Sequence, residues 1–333
     1  MIQIDGSYGE GGGQILRTSI ALSCLTGESI CIKKIRANRP KPGLAMQHLK
    51  GIEAAKLISN AEVEGLKPGS TTVTFKPGNI RGGKFRINIG TAGSVTMILQ
   101  TISLPSLVSG GSFEIRGGTD VSWSPPFDYM KNVTLRALKD MKAEMSAELI
   151  SRGYYPKGGG LIRVKVEPSK LSGIVFEKTN GKVVGVSHSS NLPSHVVERQ
   201  SNSAKKILIS KGYSVEIKNE FRNDLSTGCG ITLWRDYKGG SSLGERGKRA
   251  EKVGEEAANN LLKELQSNCV FDEFLADQIM PFAAVAKGVT SYTTSKITNH
   301  QRSNAYVIKK FFGDIVEINE ENREISVKGI GFF

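Results

Sequence analysis

The chain has 333 residues, 38% of them apolar, enough to bury a sizeable core and to argue against global disorder. Forty-five Lys and Arg against 32 Asp and Glu leave a formal charge of +13, which favours a polyanionic partner such as nucleic acid, although a generally basic surface gives the same balance. Cys24, Cys31, Cys229 and Cys269 lack zinc-ligand spacing, no uncharged apolar run reaches ~18 residues, and "MIQIDGSYGEGGGQ" lacks the layout of a signal peptide, so a cytoplasmic protein without a membrane span is expected.

In chain order, residues 14–25 read as a helix, "SICIKKI" as a strand, "RANRPKPGLAM" as a loop, "QHLKGIEAAKLI" as a helix, and "AEVEGL" and "STTVTFKPG" as strands. The same order recurs from residue 85. Strand "KFRINIG", helix "SVTMILQTISLPSLV" and strand "SFEIRGG" lead to the loop "TDVSWSPPFD", then to the helix "YMKNVTLRALKDM" and two strands ending in "GGGLIRVKVEP". A third copy begins near Asp272, with helices "EFLADQIMPFAAVA" and "SNAYVIKKFF" and strands "GVTSYTTS", "DIVEIN" and "EISVKG". Three α/β units of ~70 residues point to one repeated module with its helices packed inward. Another rhythm separates copies two and three. "KVVGVSH", "HVVERQSNSAKKILISKG", "YSVEIKNE", "GITLWRDY" and "AEKVGEEAANNLLKELQ" read as a βαββα insert. The expected organisation is a main body of residues 1–179 and 271–333, with repeats near 1–80, 81–170 and 271–333, and a small α/β domain over 180–270.

"GEGGGQILR" (9–17) places glycines at a helix start, where backbone donors suit a phosphate; the other reading is a glycine turn with a solvated glutamate. It is neither a Walker A sequence nor a dinucleotide fingerprint, since Gln14 stands where the latter needs glycine. Glu10 would repel phosphate unless a cation lay between them, and a Mg²⁺ shared by one carboxylate and phosphate oxygens resolves the conflict. In "IRANRPKPGLAMQH" (35–48), Arg36, Arg39 and Lys41 sit in a stiff Pro/Gly loop suited to binding phosphate bidentately, or to a merely solvated basic surface. The tyrosines of "RGYYPKGGGLI" (152–162) can stack on bases, while its glycines can simply close a hairpin. In "FLADQ" (274–278), Asp277 and Gln278 are a cap or a ligand contact. His300 precedes the apolar pattern Ala305, Val307, Ile308, Phe311 and Phe312; His48 holds the equivalent place in the first copy. If the copies pack around a common centre, both imidazoles face one cleft. Spacing alone leaves His300 between an unreactive helix entrance and a neutral nucleophile.

Taken together, "DGSYGEGGGQILR", "IRANRPKPGLAMQHL", "GTAGSVTMILQT", "GGTDVSWSPP", "RGYYPKGGG", "FLADQ" and the histidine of "NHQRSNAYVI" resemble, in order over residues 5–312, the RNA 3′-terminal phosphate cyclases. The resemblance implies three βαβαββ units like those of enolpyruvyl-transferases, with a thioredoxin-like insert. It implies ATP-dependent conversion of an RNA 3′-phosphate to a 2′,3′-cyclic phosphodiester through a histidyl-AMP and an RNA(3′)pp(5′)A intermediate. His300 then matches the nucleotide-accepting histidine, and Glu10 the ligand of a Mg²⁺ or Mn²⁺. Gln14, Gln100, Phe274, Leu275, Ala276, Asp277, Gln278 and Asn304 match the nucleotide pocket. Arg17, Arg36, Arg39, Gln47 and His48 match the phosphate and RNA-end site. The implied partner is an RNA with a 3′-phosphate end, and the family leaves room for a homodimer. Two residues depart from the family pattern: Phe274 stands where Tyr is common and Ser303 where Thr is usual. The competing reading is a non-catalytic relative acting in ribosome biogenesis, which lacks the nucleophilic histidine. An enolpyruvyl-transferase would need six units rather than three.

Overall fold

A computed structural model describes residues 1–333. The first unit comprises β1 (Ile2–Asp5), α1 (Gly13–Thr26), β2 (Ile30–Lys33), α2 (Met46–Ser59), β3 (Glu62–Glu64) and β4 (Val73–Lys76). Its sheet order is β1-β2-β4-β3, with β1 and β2 parallel and the other pairs antiparallel. The short β1 carries only two apolar residues, too few for a periodicity signal, and the sequence reading passes over it. The second unit repeats the plan with β5 (Lys84–Asn88), α3 (Val95–Ser109), β6 (Gly111–Gly117), a helical stretch, β7 (Met145–Ser151) and β8 (Gly160–Val166). The stretch comprises α4 (Phe127–Tyr129), a wider turn (Met130–Thr134) and α5 (Leu135–Asp140). Its sheet order, β5-β6-β8-β7, reproduces that of the first.

Residues between the second and third units form β9 (Val183–Ser190), α6 (His195–Ser210), β10 (Val215–Arg222), β11 (Gly228–Arg235), β12 (Lys238–Leu243) and α7 (Ala250–Gln266). They make a sheet of order β10-β9-β11-β12 with a hydrophobic cluster of their own, including Val183, Leu208, Ile231 and Leu261. The strand β12 is missing from the βαββα reading because "KGGSSL" looks like a linker. Its glycines serve close approach instead: a Cβ on Gly240 would lie 2.3 Å from the Leu261 backbone nitrogen in α7.

The third unit has α8 (Leu275–Val285), β13 (Lys287–Thr293), α9 (Asn299–Phe312), β14 (Val316–Asn319) and β15 (Glu324–Ile330), with sheet order β13-β15-β14. The place beside β13 that β1 and β5 hold elsewhere is taken by residues 172–175, which bridge β13 in parallel at Ser172↔Lys287 and Val175↔Ser291. Those residues precede the insert. The interruption therefore falls inside the third unit, after its first strand, rather than between two complete units.

The protein is thus a mixed α/β molecule of three related units with a small α/β insert. Helices α1, α3 and α8 are buried along almost their whole length and pack together with α2 and α9 in one continuous core. This arrangement gathers the N-terminal ends of α1, α2, α8 and α9 in one place, as the contacts below show. No helix is long and apolar enough to cross a membrane, and none of the four cysteines is paired.

A cleft at converging helix N-termini

Gly9 and Gly11 adopt positive φ (59° and 56°), which lets the backbone turn sharply into α1 without a side-chain cap. Gly13 is required by proximity: a Cβ there would fall 2.3 Å from His48 Nε2. The His48 ring belongs to the first turn of α2, where its Nδ1 accepts a hydrogen bond from the Ala45 amide at 3.3 Å. The remaining proton of the neutral ring is then on Nε2, aimed at the glycine turn. Burial, and then Arg17 and Arg36, lower the His48 pKa to about 3, so the ring stays neutral.

His300 is the second residue of α9, whose start is fixed by a reciprocal cap. The Gln301 amide donates to Thr298 Oγ1 at 3.3 Å and the Thr298 amide donates to Gln301 Oε1 at 2.8 Å. The imidazole lies between two carboxylates, with Nε2 3.3 Å from Glu10 Oε2 and Nδ1 3.8 Å from Asp277 Oδ2. Burial lowers the His300 pKa below its ordinary value, Glu10 opposes that, and Arg17 and Arg39 reinforce it. The Asp277 carboxyl is pushed up to about 7 by burial, against the pull of Arg17. Glu10 also meets Arg39 at 3.2 Å.

Asn304, one turn along α9, ties the helices together. Its Oδ1 accepts from Gln14 Nε2 at 3.1 Å and Thr18 Oγ1 at 2.7 Å, and its Nδ2 donates to the Asp277 carbonyl at 2.7 Å. Arg17 donates to Gln14 Oε1 at 2.6 Å, while its Nε is buried without a partner; burial lowers its pKa to about 10. Gln47 Nε2 lies 3.5 Å from Met97 Sδ on α3, and Arg17 reaches the same sulfur at 3.8 Å. Arg36 holds its loop by donating to the Gly43 carbonyl at 2.8 Å.

A crevice beside this cluster is lined by Gln14, Arg17, Thr18, Gln100, Thr134 and Gln278, among others. Gln100 Oε1 is buried there with no partner, an acceptor in want of a donor. Gln278 Oε1 accepts from Thr134 Oγ1 at 2.9 Å. Of the "FLADQ" segment, Phe274 is exposed at the helix entrance, and Asp277 and Gln278 face the cleft. Leu275 and Ala276 do not: both side chains are fully buried in the apolar core, each turned away by its i, i+2 spacing from Asp277 and Gln278 respectively. Thr18 and Thr134 were not singled out from sequence. Thr18 shares the face of α1 with Gln14, four residues before it, a spacing that could have flagged it.

The "RGYYPKGGG" segment lies elsewhere. Arg152 is wholly buried and pairs with Asp120 at 3.0 Å, Asp128 at 2.8 Å and Glu220 of the insert at 2.7 Å. Tyr154 is buried too, its hydroxyl 2.8 Å from His188 Nδ1 on β9, so it has no face to offer a base. Asp120, Asp128 and His188 are spaced like metal ligands, but the Arg152 guanidinium already occupies both carboxylates. Glu10 differs in being half-exposed: its carboxylate, beside Arg39 and His300, would hold a divalent cation only with phosphate oxygens completing the shell.

The model of the family described as RNA 3′-terminal phosphate cyclase matches residues 8–318. A protein of Archaeoglobus fulgidus named RNA 3′-terminal phosphate cyclase is 60% identical over 98% of this chain and 100% of its own length. Proteins of the same name from Methanosarcina mazei and Pyrococcus furiosus are 46% and 49% identical, over 98% and 96% of this chain and 100% and 95% of their own.

Proposed function

This chain belongs to the RNA 3′-terminal phosphate cyclase family, and we propose that it closes an RNA 3′-phosphate to a 2′,3′-cyclic phosphodiester through a histidyl-AMP intermediate on His300. The observation that carries the reading is a neutral imidazole at a helix N-terminus, flanked by Glu10 and Asp277 and close to Arg17 and Arg39. With the Nδ1 proton directed at Asp277, the Nε2 lone pair attacks the α-phosphorus of ATP. The N–P bond forms as the bond to pyrophosphate breaks. An oxygen of the RNA 3′-phosphate then attacks the same phosphorus, and the imidazole leaves with its electron pair. The vicinal 2′-oxygen finally attacks the activated 3′-phosphorus, losing its proton to solvent, and AMP departs.

Each step crowds negative charge, so the protein's share is positioning and neutralisation. Arg17, Arg36, Arg39 and the Nε2–H of His48 supply donors around the glycine turn. Glu10 would hold a Mg²⁺ or Mn²⁺ that offsets triphosphate charge when bound. Gln100 and Gln278 offer amide groups to the adenine-nucleotide side of the crevice, and the Phe274 ring offers a surface to pack on. The chemistry demands a 2′-hydroxyl, which excludes DNA as a substrate without any reading of bases.

The alternative of a non-catalytic relative is disfavoured by the intact His300, Glu10 and Asp277 grouping. Incubation with α-labelled ATP and a divalent cation is expected to give a labelled, acid-labile protein adduct. His300→Ala should abolish it. Labelling of that variant at the parent level would show that His300 is not the nucleophile.

A further inference from the structure

We propose that Trp123 and Tyr155 form a stacking platform for the bases of single-stranded RNA just upstream of the reactive 3′ end. The inference rests on the reading of the cleft as an RNA-end site and extends it to a surface outside the cleft. Trp123 is 95% exposed and Tyr155 79%, the two most exposed aromatic residues of the chain. Trp123 also has a positive φ of 65°, a strained conformation for a bulky side chain and one that concentrates at functional positions.

The loop that carries Trp123 is held, so the indole is presented rather than left to wander. Ser124 Oγ donates to the Val121 carbonyl at 3.0 Å, Thr96 Oγ1 donates to the Pro125 carbonyl at 2.8 Å, and the Phe127 amide donates to Thr119 O at 3.0 Å. The two aromatics come from adjoining segments, since Asp120 and Tyr154 form a parallel backbone bridge. The turn that carries Tyr155 is basic. Lys157 is exposed two residues beyond Tyr155, and exposed Arg116 donates to the Gly159 carbonyl at 3.1 Å. Neither cation has a carboxylate within salt-bridge distance, nor has Lys131 beside Phe127. Exposed aromatic faces accompanied by cations without ion-pair partners suit a strand of bases and phosphates better than an apolar protein surface.

The platform adjoins the cleft through α3. The Val95 amide donates to Gly118 O at 2.9 Å just before the Trp123 loop, and Met97, two residues on, meets Gln47 and Arg17. The crevice assigned to the adenine nucleotide includes neither aromatic. The base that stacks here is therefore one of the RNA.

Binding of a fluorescent 3′-phosphorylated oligoribonucleotide, followed by anisotropy without ATP, tests the assignment. Trp123→Ala and Tyr155→Ala should each weaken binding by about tenfold, and Trp123→Phe should restore most of it. Self-adenylation with labelled ATP should stay at the parent level in all three. Oligonucleotide binding unchanged in both alanine variants would overturn the platform. An equal loss of self-adenylation in Trp123→Ala would also overturn it, by placing the indole at ATP. Because binding is read without turnover, these results are separable from failure of the histidyl-AMP reading, which the labelled adduct alone decides.

Discussion

Around His300 and around Arg152 the chain gathers the same ingredients, arginine and carboxylate with a histidine, but it builds with them differently. Arg152 is fully buried and meets three carboxylates at 2.7–3.0 Å. In the cleft, the contacts of Glu10 with Arg39 and His300 are 3.2 and 3.3 Å, and these side chains are about two-fifths exposed. Short, mostly buried pairs on one guanidinium fix one geometry. Longer and wetter ones exchange partners cheaply, as the site proposed above for triphosphate, cation and RNA end requires. The difference separates architecture from chemistry among motifs that look equally charged in the sequence.

The largest effect should follow from breaking the dry cluster. Arg152→Met strips Asp120 and Asp128 of their cation and leaves Glu220 with Arg222 alone, at 3.6 Å. The loss is about 3–5 kcal/mol of stability, the range for a buried charge stripped of its partner. Glu220 illustrates the coupling: burial alone would raise its carboxyl pKa, yet Arg152 holds it below the usual range. Since Glu220 belongs to β10 and both aspartates to the second unit, the insert should also become more susceptible to proteolysis. A denaturant midpoint equal to that of the parent would make the cluster incidental.

A smaller and more selective effect is expected in the cleft. Arg39→Ala removes a half-exposed guanidinium, so stability should move by no more than about 0.5 kcal/mol. Cyclisation of a 3′-phosphorylated RNA should fall by about tenfold to a hundredfold, the loss of one charge-assisted contact to phosphate, while self-adenylation changes little. Equal losses in the two assays would place this arginine at ATP and blur the division of labour proposed for the loop.

Much of this was legible beforehand, for reasons that can be named. The helices announced themselves because α1, α3 and α8 carry long apolar runs, and their repetition exposed the threefold plan. Asp277 and Gln278 stood out as a polar pair at an otherwise apolar helix start, whereas Arg17 and the pocket role of Gln14 came only from the family resemblance. What escaped depended on distant partners. No local pattern says that Arg152 would be swallowed by carboxylates from two other segments, one of them 68 residues away. Nor does local pattern say that Tyr154 would be buried while its neighbour Tyr155 stands in solvent. The glycines of β12 hid a strand because their purpose, admitting α7 and Tyr129, exists only in three dimensions.

The smallest effect concerns pH and refines the comparison at its histidines. Burial, and then Arg152, lower the His188 pKa from 6.5 to about 3, so the native ring at the junction stays neutral where the unfolded chain would take up a proton. Below pH 6.5 the unfolded state therefore binds more protons than the native state, and stability falls as pH drops toward 3. Asp272 works in the opposite sense. Burial raises its carboxyl to about 7, so the native state already holds that proton as pH falls and is favoured by it. The net profile thus mixes both signs, and a difference between variants is the cleaner measurement. His188→Gln keeps an acceptor for the Tyr154 hydroxyl but cannot titrate. Between pH 6.5 and 5.5 it should lose about 1 kcal/mol less stability than the parent, whatever its stability at pH 7. Parallel profiles for the two proteins would show that the parent ring takes up its proton without unfolding, and the junction would then be no drier than the cleft.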